Sequence, residues 1–432
     1  EHPLTMKRFA ILCCALLAAS GARAQITLDD CRRLAREHYP EIRQYDLIRR
    51  TAGYTLSNAR RAWLPQVSLS GQATWQTDVP GFPEQMTGLF AGQGIEIPGL
   101  RKDQYRVQIE VSQTLWDGGA SRADQAVAEA ESAVSQGAVD VDLHALEGRV
   151  NDLYFGILLL DERIAQTQVT IGLLRSNLDK VRALQRAGAA MPADGDAVEA
   201  ELLAAGQQLG QVEASRDSYR RMLSIFIGRE LADGERFERP AVADPPSGSV
   251  ARPELRLFDA RIDRLAAQER QVKASVRPRF GLFAQGYYGY PGLDYFGSMM
   301  TSDWTWNALV GVRMTWNFGG YYTRRNSLLR LRTARRQVEV DRDLFLFDNR
   351  LQQASETGEI ARLRRALADD DRIVQLRRSV REAAESALRN GVIDTNGLLR
   401  KIADEDAASA ARSAREIELL KTIYELKHTM NR

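Results

Sequence analysis

Cysteine is almost missing from this chain of 432 residues: there are three, Cys13, Cys14 and Cys31. The first two fall in an N-terminal stretch expected to be removed. Cys31 then has no intrachain partner, and the fold must stand without disulfide staples. Net charge is missing too. Lys+Arg 59 stand against Asp+Glu 57, and taking away Lys7, Arg8, Arg23 and Glu1 with that stretch leaves 56 of each sign. A nucleic-acid binder needs a basic excess to displace counterions, so no nucleic-acid partner is expected. No later stretch holds 18 consecutive apolar residues. A crossing of a bilayer would then have to be made by a closed β-barrel. His38, His144 and His428 are scattered without ligand spacing, and P-loop, Gly-x-Ser-x-Gly and Gly-x-Gly-x-x-Gly motifs are missing. No enzyme, metal site or cofactor is expected. A hydrophobic content of 44% excludes disorder.

What is present begins with an address. Lys7 and Arg8, the apolar run Phe9–Ala19, and Ser20-Gly21-Ala22-Arg23-Ala24 are the parts of a secretory signal. Residues 1–24 are expected to be cleaved, leaving Gln25 first; those ahead of Met6 are of doubtful origin.

The rest reads twice. Ala62-Trp63-Leu64-Pro65 is echoed by Ser275-Val276-Arg277-Pro278, Thr114-Leu115-Trp116-Asp117-Gly118-Gly119 by Thr315-Trp316-Asn317-Phe318-Gly319-Gly320, and Leu184–Gly188 by Ala387–Gly391. The offsets are 213, 201 and 203 residues. Three landmarks in one order mark an internal duplication. The expected organisation is a first repeat over 25–228, a proline-rich linker over 229–252, and a second repeat over 253–432. Each repeat holds a helix, two strands and a long helical hairpin.

Period two marks the strands. Val67, Leu69, Ala73 and Trp75 alternate with Ser68, Ser70, Gln72 and Thr74, and Tyr105–Leu115 behaves likewise. Phe280, Leu282, Ala284 and Tyr288 form the third run, and Trp304–Trp316 the fourth. Each run has one apolar and one polar face and is about as long as a tilted membrane strand. A soluble sandwich alternates in the same way. All six tryptophans, however, lie in or beside these strands: Trp63, Trp75, Trp116, Trp304, Trp306 and Trp316. Aromatics gathered at strand ends are what membrane interfaces favour. Four strands cannot close a useful barrel, so closure requires several chains.

Helix follows each Gly-Gly. Ala120–Arg186 holds 67 residues without proline, about 100 Å of helix. Its apolar seam runs through Leu146, Val150, Leu153, Ile157, Leu160, Ile164, Ile171, Leu174, Leu178 and Val181, a heptad pattern. The helix is expected to restart at Asp196, where Asp196-Ala197-Val198-Glu199 resembles a capping box. Thr27–Trp63 and Asp196–Gly228 together hold 70 residues, so two short helices stacked end to end match one long one. In the second repeat Ile360, Leu363 and Leu367 give way to Ile373, Leu376 and Val380 after a six-residue step.

This pattern resembles the TolC-like outer-membrane efflux proteins. The carriers are Leu64-Pro65 and Arg277-Pro278 before strands, Gly118-Gly119 and Gly319-Gly320 after them, Arg252-Pro253-Glu254-Leu255 at the second repeat, and the hairpin-tip glycines Gly188 and Gly391. The resemblance implies an α+β membrane protein: a homotrimer whose four strands per chain make a 12-stranded barrel in outer-membrane lipid. A long α-helical coiled-coil barrel would continue it into the periplasm. It also implies a periplasmic adaptor and an inner-membrane pump as partners. A family gate places Asp six and nine residues after the second tip glycine; those positions are Gly397 and Arg400 here. Candidate tip, gate and docking residues are therefore Gly188, Asp194, Asp196, Gly391, Asp394, Asn396 and Arg400, with helix capping as an equal reading of the three aspartates. Opening is expected as a rotation of the helix pair near Gly391. The function expected is passive export of small molecules. The alternatives are an exit duct for secreted protein, or a periplasmic coiled-coil adaptor with a soluble sheet.

Overall fold

A computed structural model describes residues 25–94, 99–187, 191–232, 234–242, 244–390, 392–393 and 395–432. The signal stretch, Gly188, Gly391 and Asp394 lie outside the described residues, as do the side chains of Asp194 and Asn396. In chain order the elements are α1 (Leu28–His38), α2 (Gln44–Arg61), β1 (Gln66–Trp75), α3 (Glu84–Ala91), β2 (Asp103–Trp116), α4 (Ala120–Arg186) and α5 (Pro192–Ile227). The second repeat gives α6 (Pro253–Ala274), β3 (Arg279–Tyr290), α7 (Tyr295–Met300), β4 (Thr305–Thr315), α8 (Gly320–Arg389) and α9 (Thr395–Met430). The chain forms two compact units. One holds Asp46–Gln136 and Leu257–Asp341; the other holds, among the described residues, those of 25–45, Gly137–Arg256 and Arg342–Arg432.

The first of these units carries one antiparallel sheet in the order β1-β2-β3-β4. Its registers place Val67 beside Val111, Val111 beside Ala284 and Ala284 beside Val310, so the apolar sets of all four strands share a face. Between Thr114 and Trp116 the register slips by one residue. That bulge brings Trp116 opposite Phe280, with ring centroids 5.8 Å apart, and returns it to the apolar face that simple alternation would deny it. β2 ends in a tight turn. Gly118 and Gly119 adopt φ of 71° and 87°, a region open to glycine. The Asp117 carboxylate accepts from the backbone N–H of Gly119 at 2.8 Å and of Ser121 at 2.6 Å, capping α4. The matching Gly319-Gly320 is not left-handed. Gly320 is needed for space instead, since a Cβ there would come within 2.9 Å of Val276.

The second unit is helical. α4 buries Leu143, Val150, Ile157, Ile164, Ile171 and Leu178 at seven-residue intervals, and beside them Val139, Leu146, Tyr154, Phe155 and Leu158. Sequence reading put two positions per heptad in one seam; at the second of them Leu146 is buried, while Leu153 and Leu160 are only half-buried. α8 and α9 share a core of Ile360, Leu363, Leu419, Ile423, Leu426 and Met430, with Leu367 against it. Ile373, Leu376 and Val380 are 45%, 50% and 44% exposed. The six-residue step explains this: at about 100° per residue it turns the apolar stripe by roughly a third of a turn, away from α9.

Two helix boundaries correct the sequence expectation. The segment Thr27–Trp63 is not one helix. Tyr39 leaves helical geometry (φ −61°, ψ 125°) because it precedes Pro40, which opens a 3-10 turn, Pro40–Arg43. α5 begins at Pro192, not at Asp196, because proline is well suited to the first helical position. Asp196 is therefore inside the helix and exposed, and it caps nothing. Glu199 instead meets Arg182 across the first hairpin at 2.8 Å. α5 ends at Gly228 (φ 67°), where the Arg229 N–H reaches back to the Ser224 carbonyl at 3.2 Å. The proline-rich linker is tied down: Ile26 and Phe237 form a parallel bridge, and the Tyr154 hydroxyl lies 2.9 Å from the Ile26 carbonyl and 2.6 Å from that of Glu238.

Candidate functional site

The edge strands of the sheet carry exposed apolar side chains: Leu69, Val310 and Trp306 are 75%, 78% and 80% exposed. Charge on this face is confined to Asp103 at the rim, bonded to Arg101 at 3.2 Å. Gln113, the polar residue inside the band, donates to the Trp63 carbonyl. Tryptophans bound the band at both ends. Trp75, Trp304 and Trp306 stand at the loop end, where Trp304 stacks on Tyr105 (5.9 Å, 15°) and Trp306 meets Tyr288 at 5.0 Å. Trp63, Trp116 and Trp316 stand at the helix end, the last 4.6 Å from Phe318. The ten residues of β1 between the levels span about 30 Å along the strand, or about 25 Å once tilted, the height of a membrane-facing band. Such a face in water would be an aggregation patch.

The opposite face is wet chemistry. Glu110 accepts from Gln285 at 2.6 Å, from Gln108 at 3.3 Å and from Arg313 at 3.0 Å. Arg106 lies over the Tyr287 ring at 4.3 Å, and Arg313 over Phe283 at 4.4 Å. This hydrogen-bonded layer fits a water-filled interior. The loops at the outer end are joined by Tyr290, whose hydroxyl accepts from the Arg101 N–H at 2.9 Å and donates to the Ser298 carbonyl at 3.1 Å.

The hairpin ends form the second candidate region. A groove of 780 Å³ runs between α4, α5 and α9, lined by Val169, Leu173, Asn177, Val198, Arg400 and Asp406 among others. Arg400 is the expected tip residue that this groove takes up. The Asn177 Oδ1 is buried there without a partner, and burial with the nearby Glu405 charge raises the Asp406 carboxyl. The second hairpin is laced across by arginine. Arg377 meets Asp404 at 3.0 Å, Arg378 meets Glu405 at 3.2 Å, Arg412 meets Asp371 at 2.6 Å, Arg381 bridges Glu405 and Glu385, and Arg415 meets Asp370. Hydrogen bonding to Arg381 holds Glu405 below the usual carboxylate range despite some desolvation. Arg377, Arg378 and Arg381 of α8 are thus answered by acids of α9.

Sequence reading missed one pair altogether. His144 and His428 stack at 3.9 Å and 6°. Each Nε2 faces the other residue's backbone carbonyl, at 3.0 and 2.8 Å. Burial, then the facing imidazole, pushes His144 down to about 4, and burial also lowers His428. A separation of 284 residues leaves no local signal to find. Among the described residues no group of His, Cys, Asp or Glu is arranged to hold a metal, and no helix is long and apolar enough to cross a membrane.

The model of the outer membrane efflux protein family matches residues 32–229. No curated protein matches the chain. Among solved structures, the CmeC outer membrane channel of Campylobacter jejuni is 13% identical, with a TM-score of 0.65 over 93% of this chain and 85% of that one. The MtrE outer membrane channel of Neisseria gonorrhoeae, in its open state, is 16% identical, with a TM-score of 0.66 over 93% and 88%. The outer membrane protein VceC of Vibrio cholerae is 14% identical, with a TM-score of 0.64 over 93% and 94%. The chain has the fold of these channels.

Proposed function

We propose that this chain, an outer membrane efflux protein by its first repeat and its fold, is one protomer of a homotrimeric duct for passive export of small molecules across the outer membrane. The observation that carries the reading is the sheet: an exposed apolar face framed by two tryptophan levels, with an unpaired strand at either edge. β1 and β4 run in opposite directions, so β4 of one copy can join β1 of the next without breaking the antiparallel alternation. Closure removes both edges and turns the Glu110 face toward the lumen. The duct lowers the barrier to polar solutes by replacing lipid with water-filled space. It contains no energy source, so an inner-membrane pump drives the flux through a periplasmic adaptor, and the helices form the periplasmic tunnel.

The groove at Arg400 and Asn177 is the adaptor's docking place in this reading, and the arginine-laced second hairpin is the moving part of the gate. Two experiments test the proposal. Membranes extracted with detergent should yield a heat-resistant trimer that conducts ions in planar bilayers, whereas a monomer in plain buffer contradicts the duct. Deleting residues 188–196 should abolish export while the trimer still inserts, and unchanged export contradicts the docking role.

A further inference from the structure

At the helix end of the sheet the surface turns cationic. Arg60 and Arg61 occupy the last turn of α2, just before Trp63, and both are exposed. On the first turns of α8, Tyr321, Arg324, Arg325, Leu328, Leu329 and Arg332 line an open groove of 460 Å³. The stretch Tyr321–Val338 contains no acidic residue, and all six of its cations are arginine. Arg335 and Arg336 are answered by Glu339, at 3.1 and 2.9 Å. Arg60, Arg61, Arg324, Arg325 and Arg332 have no ion pair among the described residues, and the Arg324 Nε is buried without a hydrogen-bond partner.

Exposed arginine by itself means little, since water solvates it well. Place decides here. Trp63, Trp116, Trp316, Phe318 and Tyr322 sit at the same end, and aromatics of this kind settle at headgroup level. Arg324 and Arg325 follow Gly320 by only about 6–8 Å of helix rise. Ring closure adds a second argument. Joining β4 to β1 of the next copy sets the start of α8 beside the end of that copy's α2, and both carry unanswered positive charge. Two cationic helix ends side by side repel unless an anion lies between them. Guanidinium groups grip phosphate in a bidentate way that ammonium groups do not, and Tyr321, Leu328 and Leu329 supply an apolar floor for a chain attached to that phosphate.

We propose that this patch binds the phosphate headgroups of anionic phospholipids in the membrane leaflet that meets Trp63, Trp116 and Trp316. The proposal rests on the barrel reading above. Trimer reconstituted in vesicles of unlabelled phosphatidylcholine tests it, with brominated phosphatidylglycerol or brominated phosphatidylcholine as quencher of tryptophan fluorescence. The wild type should prefer the anionic lipid. That preference should fall roughly fivefold for each arginine neutralised in Arg324→Gln and Arg325→Gln, and equally in Arg60→Gln and Arg61→Gln. Arg335→Gln and Arg336→Gln, whose partners lie within α8, should leave it unchanged. Strong quenching by both lipids with no preference in the wild type overturns the headgroup site, whether or not the variants assemble. Variants that lose the trimer but keep the preference overturn it too, because the arginines then join copies to each other. Quenching by neither lipid overturns the barrel itself.

Discussion

Gly118→Ala and Gly319→Ala stand at equivalent places in the two repeats, yet they should differ sharply in cost. At Gly118 the backbone is left-handed (φ 71°), and a Cβ would lie 2.6 Å from the Arg277 Cβ and 3.3 Å from the Pro278 carbonyl oxygen. The conformation costs an L-residue about 1–2 kcal/mol, and the overlap with backbone-anchored atoms adds about 1–3 kcal/mol. The sum, about 3 kcal/mol, is roughly a hundredfold in the folding equilibrium. The turn cannot relax freely, because the Arg277 Nη1 donates to the Gly118 carbonyl at 3.0 Å and Asp117 holds the next residues. At Gly319 the nearest atom is the Asn317 Oδ1 at 3.3 Å, the end of a side chain that can swing, and φ is ordinary. Alanine there should change stability by less than about 0.5 kcal/mol. Denaturant unfolding of vesicle-inserted protein, followed by tryptophan fluorescence, reads both. Gly118→Asn separates the two contributions, since asparagine tolerates the left-handed region but keeps the Cβ; it should recover only part of the loss. Equal midpoints for the two alanine variants would refute the reasoning.

Three further outcomes are expected. Val310→Arg places a charge in the middle of the apolar band and should cost about 2–4 kcal/mol of insertion, whereas Ser68→Arg on the polar face, beside Glu110, should assemble normally; gel quantification of inserted trimer decides. The His144–His428 stack requires neutral rings. His144 has a folded pKa of about 4 against an ordinary value of 6.5, so the unfolded chain binds more protons between those values. Its stabilisation is complete above about pH 6.5 and fades as pH falls toward 4; His144→Phe should flatten that part of the melting curve, and an unchanged slope would remove the stack from the account. Arg381→Gln breaks the bridge to Glu405 and Glu385. The loss of global stability should be small, as for other ion pairs near a surface, while hydrogen exchange at the α8–α9 end should quicken and the open time of single channels lengthen.

The strands were legible because each keeps apolar side chains on one face and polar ones on the other, so period two shows in the sequence; the run Val67–Trp75 lies within β1, Gln66–Trp75. The long helices were legible because proline is missing from them. The bulge at Thr114–Trp116 was not, since a one-residue slip is decided by the partner strand. Nor was the break at Tyr39-Pro40, because the apolar pattern on either side fits one helix as well as two. The tip was least legible. Asp196 looked like a cap and is not one, while the contacts that matter, such as Arg381 with Glu405 and Arg400 with Asn177 in one groove, depend on how separate helices pack.

The two open edges of the sheet have a kinetic consequence. In the proposed ring, until closure every protomer offers two edges, β1 and β4, each a row of unpaired N–H and C=O groups that fits any sibling. An unclosed row can therefore keep growing into an insoluble ribbon. On the proposed function the copies would have to meet few at a time and beside lipid, with insertion faster than chance encounters between newly delivered chains.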